Sequence, residues 1–61
     1  MDNQANTANR MLNVIDAFGH RNITYKEAKT IANIEAAAYP DVKAAALDAL
    51  EGIQSWRSFN E

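Results

Sequence analysis

An all-α domain of three helices is what this sequence predicts, and three observations carry the prediction. Apolar residues recur at intervals of three and four along most of the chain, the period of a one-sided helix. The stretch "ITYKEA" contains a complete capping box, with Thr24 as N-cap and Glu27 three residues on. The one proline, Pro40, stands between two further helical stretches, where it ends or bends a helix. No segment reads as a β-strand.

Residues 1–6 are rich in Asn, Gln and Ala and read as a fraying start. Helix 1 is expected to begin near Asn6 or Thr7, either of which can cap it. On a helical wheel Met11, Val14, Ile15 and Phe18 share a face, with Leu12 at its edge; Asn9, Asn13, Asp16 and His20 lie opposite. Gly19 is the expected left-handed stop. Helix 2 is predicted from Tyr25 to about Ala38, with Ile23 stapled against Ala28. Pro40 disfavours a helical Tyr39, so the chain should turn a sharp corner there or continue as one long kinked helix. Helix 3 is predicted from Pro40 or Asp41 to Trp56, with 57–61 fraying; proline suits a first turn, and Asp41 suits the positive end of the dipole. Its apolar face holds Val42, Ala45, Ala46, Ala49, Leu50, Ile53 and Trp56, with Asp48, Glu51, Ser55 and Ser58 on the other side. Ala38, Ala45 and Ala46 are expected to face inward and let two helices approach closely near Pro40, with Ala37 and Ala44 outward.

Sixty-one residues make one domain, 1–61. A chain of this length buries only ~60% of the surface it exposes when unfolded, and such chains often lean on a disulfide, a metal or a second subunit. The sequence has no cysteine, which removes disulfides and thiolate metal sites. A homodimer is one way to enlarge so small a core. Six Lys and Arg against eight Asp and Glu give a net charge of −2, too weak a bias for an electrostatic footprint on nucleic acid or for an acidic mimic of it. The polar start has no signal-peptide core and no apolar run is long enough for a membrane, so a cytoplasmic protein is expected.

Few residues invite chemistry. His20 has Asp16 four residues before it, which is at most half of a metal site; stabilisation by the helix C-terminus and by Asp16 explains it without a metal. Ser55 and Ser58 have no neighbouring base, and Gly19 and Gly52 stand alone rather than in a phosphate loop. No catalytic residue, metal ligand, cofactor or small-molecule substrate is predicted, so an enzyme is not expected.

Glu35 falls in the middle of helix 2's apolar arc, between Ile31, Ile34 and Ala38 on one side and Ala28, Ala32 and Tyr39 on the other. A carboxylate there needs a partner. It either emerges in a seam between helices, or bonds a tyrosine hydroxyl, or pairs with a basic group across an interface. Arg21, Lys26 and Lys29 make a small basic patch that is either a solvated helix face or a contact to phosphates. "EAKTIA" opens like a helix-turn-helix, but alanines and acids then fill the turn and reading positions. Trp56 either closes the core or, with Phe59, faces outward near the chain end. The expected function is a non-enzymatic protein–protein interaction module, a regulator or inhibitor that occludes a partner surface. Leu47, Leu50, Trp56 and Phe59 would dock, and Glu35 or Arg57 would set the register. A helical DNA-binding regulator using Arg21, Lys26 and Lys29 is the alternative, and a structural subunit of an assembly is a third.

Overall fold

The computed structural model describes residues 3–60. It contains three helices, α1 (Asn3–Gly19), α2 (Tyr25–Glu35) and α3 (Pro40–Asn60), and no strand among the described residues. Contacts fix their directions. Phe18 near the end of α1 stacks on Tyr25 at the start of α2, with ring centroids 5.6 Å apart, while Arg10 pairs with Glu35 at the end of α2. The two helices are therefore antiparallel. Arg57 near the end of α3 bonds the carbonyls of Phe18 and Gly19, and Asp41 and Val42 share a groove with Ala8 and Met11. So α3 runs parallel to α1, and every pair of helices is in contact.

The core is Met11 and Phe18 from α1, Ala28, Ala32 and Ala36 from the α2 segment, and Ala46 and Leu50 from α3. Four of these seven are alanine, so the helices pack closely around little apolar volume. Phe18 and Leu50 are the largest side chains fully enclosed, and burying each stabilises the fold by ~1.5–3 kcal/mol. A domain this small has a narrow stability margin. Among the described residues no helix is long and apolar enough to cross a membrane.

The turn between α1 and α2 closes differently from the glycine stop expected. Asn22 N–H donates to the Ala17 carbonyl (2.9 Å) and Arg21 N–H to the Phe18 carbonyl (3.0 Å), the paired bonds of a Schellman motif. The left-handed residue of that motif is Arg21, with φ 62°, while Gly19 remains in the helix. The next start is as predicted. Thr24 accepts from Glu27 N–H (3.0 Å), Glu27 accepts from Thr24 N–H (2.8 Å), and Ile23 packs on the core.

Helix ends depart from expectation in three places. The first helix begins at Asn3, because nothing from Asn3 to Asn6 breaks it. The third continues to Asn60, where Asn60 Nδ2 donates to the Trp56 carbonyl (2.8 Å) and Arg57 is anchored to α1. Thus 3–6 and 57–60 are helical, while 1, 2 and 61 lie outside the described residues. Helix α2 stops at Glu35 rather than Ala38, despite three alanines of high helix propensity. The reversal into α3 consumes Ala36 to Tyr39: Ala36 leaves the helical region, and Tyr39 N–H donates to the Ala36 carbonyl (3.0 Å). Two separate helices and a four-residue link form, not one long helix. Pro40 occupies the first helical position of α3. The alanines sort differently too. Ala36 and Ala46 are buried, whereas Ala38 and Ala45 face solvent with Ala37 and Ala44. Ile34 is exposed as well.

Candidate functional site

The residues expected to dock a partner divide sharply. Leu50 is fully buried in the core and is not available to a partner. Its place is set by the wheel, since Ala46, Leu50 and Ile53 form the row of α3 that lies against α1 and α2. Leu47 is half-buried beside that row. Trp56 does not close the core; it is 65% exposed, and Phe59 one turn on is 91% exposed. Both stand near the C-terminal end of α3.

The two charged residues expected to set register have partners within the chain. Arg10 and Glu35 form an ion pair across the α1–α2 seam, and Glu35 is half-buried there. An isolated pair this open to solvent contributes no more than ~1 kcal/mol. It answers the question of Glu35's place among apolar neighbours: the carboxylate emerges at a seam. Arg57 Nη2 donates to the Phe18 carbonyl (2.7 Å) and the Gly19 carbonyl (3.0 Å), and its guanidinium lies 4.4 Å from the Phe18 ring centroid. A cation bonded to carbonyls at a helix C-terminus meets the negative end of the dipole, here as a second donor to the Phe18 carbonyl and as a donor to that of Gly19. Arg57 is thus a cap for α1. The seam placement of Glu35 was one reading open in the sequence. Its partner was not readable, and neither was the role of Arg57, because Arg10 and Glu35 stand 25 residues apart and Phe18 and Arg57 are 39 apart.

Toward the start of α3, on the side that carries Trp56 and Phe59, the surface is apolar in a way the sequence only hinted at. A groove of about 430 Å³ runs between α1 and α3, lined by Ala8, Leu12 and Ile15 on one side and Val42, Ala45 and Ala49 on the other. Leu12, which the wheel set at the edge of helix 1's face, is 63% exposed on its rim. The broad apolar arc expected for helix 3 is in fact two rows. The inner one, Ala46, Leu50 and Ile53, is covered by the chain; the outer one, Val42, Ala45, Ala49, Gly52, Trp56 and Phe59, borders the groove and continues past it. Leu12, Ala45 and Gly52 were the missed residues, and the signal for them was the width of the apolar arc.

The basic residues of the alternative reading are all exposed. Lys29 Nζ lies 4.6 Å from the Tyr25 ring centroid, and Arg21 occupies the left-handed position of the first turn. Glu27, with its carboxylate in the capping box, follows Lys26 directly. His20 is placed as its structural reading requires. Its Nδ1 is 2.8 Å from the Asp16 carbonyl and 3.3 Å from the Asp16 carboxylate, with both side chains in solvent. Among the described residues no three acidic or histidine side chains converge as metal ligands.

No protein-family model matches the chain, and no curated protein or solved structure matches it significantly. The functional reading therefore rests on its own surface.

Proposed function

We propose that this protein is a non-enzymatic helical interaction module that works through its α1–α3 face, regulating or inhibiting by occluding what it binds. One observation carries the reading: an apolar groove between α1 and α3 has the exposed Leu12 on its rim, and the row of α3 that lines it through Ala45 and Ala49 continues along the helix to the exposed Trp56 and Phe59. Scattered surface apolar residues are ordinary, but a contiguous patch of this kind marks a contact surface. Tryptophan in particular supplies binding energy when a partner removes it from water. The docking set is therefore revised to Leu12, Trp56 and Phe59 with the groove, and Leu47 at the far flank of α3. Leu50, Glu35 and Arg57 build the fold that holds this face in place.

The test compares the wild-type chain with Leu12→Asp and Trp56→Asp as immobilised baits for a lysate of the source cells. The reading expects a defined protein, the chain itself included, to be retained by the wild type and lost by both variants, with helical circular dichroism unchanged. Retention that ignores both substitutions would remove the α1–α3 face from the proposal.

A further inference from the structure

We infer that the occupant of the α1–α3 face is a second copy of this chain, paired through antiparallel α3 helices so that each Trp56 enters the other copy's groove. The inference rests on the reading of that face as the contact surface, and names what covers it.

The outer row of α3 carries the argument. Val42, Ala45, Ala49, Gly52, Trp56 and Phe59 are spaced by three, four, three, four and three residues, the seam of a helix that packs lengthwise on another. That spacing reads the same in both directions. The row of a reversed copy therefore falls in register with it, setting Val42 against Phe59, Ala45 against Trp56 and Ala49 against Gly52. The first four side chains of the row are small and the last two are large, so on reversal every large one meets a smaller one. Parallel pairing would instead stack Trp56 on Trp56 and leave the alanines facing each other across a gap. A surface complementary to itself under reversal is what a two-fold dimer requires.

The groove supplies the receiving site. Ala45, opposite Trp56 in this register, is one of its lining residues, with Ala8, Leu12 and Ile15 on the α1 wall. An exposed indole and an apolar groove thus meet through the same symmetry operation, each copy giving one and receiving the other. The row is ~26 Å long at 1.5 Å per residue. With the neighbouring part of α1 it would bury on the order of 600–800 Å² per chain, within the range of specific interfaces.

Gly52 supports this independently. Glycine weakens a helix interior, and a Cβ built at Gly52 meets nothing within 4 Å in the chain. The monomer has no packing reason for it. In the antiparallel pair Gly52 lies next to the two-fold axis, where the helices approach most closely. The flank is compatible too: Asp48 of one copy faces Ser55 of the other, so no like charges are brought together.

Sedimentation equilibrium over a wide concentration range tests the pairing, with the lone tryptophan as a second readout. The expected result is a monomer–dimer equilibrium in which dilution shifts Trp56 emission to the red. Gly52→Glu should weaken it about a hundredfold or more, an effect of hot-spot size, without loss of helical signal, because the monomer has room for the side chain. The register is read with engineered thiols, which the cysteine-free chain makes unambiguous. An equimolar mixture of Asp48→Cys and Ser55→Cys chains should oxidise to the mixed dimer. Asp48→Cys linking to itself in preference would mean a different register and overturn the proposal, as would a dimer indifferent to Gly52→Glu. A chain that stays monomeric to millimolar concentration overturns it as well. If such a monomer still captures a defined protein through Trp56, the module reading survives and only the second copy is lost; if it captures nothing, both fall.

Discussion

Two rows of α3 lie side by side and have opposite fates. Ala46, Leu50 and Ile53 lie against α1 and α2, and Arg57 at the end of that row reaches the α1 carbonyls. Ala45, Ala49, Gly52 and Trp56 have the same helical spacing and an equally apolar character, yet they border open space. A helix in a three-helix bundle has only two neighbours, which cover one stripe of it. An apolar arc wider than that stripe is surplus to the fold. The difference teaches that periodicity reports how much apolar surface a helix has, while the number of neighbours decides how much of it the chain can use.

That contrast is sharpest at its two large residues. Leu50→Ala should cost about 2–5 kcal/mol through the cavity left in the core, enough to abolish a cooperative urea transition in so small a domain. Trp56→Ala, measured on dilute protein, should shift the midpoint by no more than ~0.5 kcal/mol. Comparable losses at both sites would break the division into two rows. Insertion tests the same boundary at adjacent alanines. Ala46→Leu should overpack the interior by about 1–3 kcal/mol, whereas Ala45→Leu, on the open side, should leave thermal stability nearly unchanged.

Arg57→Met is expected to lose about 1–2 kcal/mol, since it removes charge-assisted bonds to two carbonyls while keeping much of the apolar stem. Arg57→Lys should recover only part of this, because a point charge does not reproduce the guanidinium geometry. The remaining effects are gains. Gly52→Ala should raise monomer stability by ~0.8–1 kcal/mol through helix propensity. Arg21→Gly should add about 1 kcal/mol by relieving a left-handed backbone. Chemical denaturation of dilute protein distinguishes each gain from no change, and a loss at Gly52 would mean that its neighbourhood in the chain is not open.

The legible parts of the fold were those written in neighbouring residues. The capping box at Thr24 and Glu27, the staple residue Ile23 and the inner face of α1 each depend on a few adjacent side chains. Proline at the start of α3 was equally local. The end of α2 was not, because three alanines favour helix and only the need to bring α3 back along α1 stops it at Glu35. The left-handed residue was misplaced for a related reason: glycine is the usual choice, and here the bonding pattern puts Arg21 in that conformation. Of the candidate site, Trp56 and Phe59 were visible as large apolar groups near the chain end. Leu50 and Trp56 share one arc on the wheel, so sequence alone could not divide them. The roles of Glu35 and Arg57 depend on which helix end meets which, and that is a property of the assembled bundle.

The Arg57 contact also has a bearing on time. It joins residues 39 apart, whereas each helix meets its successor across a link of only a few residues. Closing a longer stretch of chain costs more entropy, and contacts between distant residues are a slow step. The turn at Arg21 and the start of α2 can form before α3 has docked, and the bonds from Arg57 to the end of α1 are expected among the last made and the first broken. Removing them should therefore speed unfolding while leaving the folding rate almost untouched. A side chain that reads as a static cap would then set how long each folded molecule lasts.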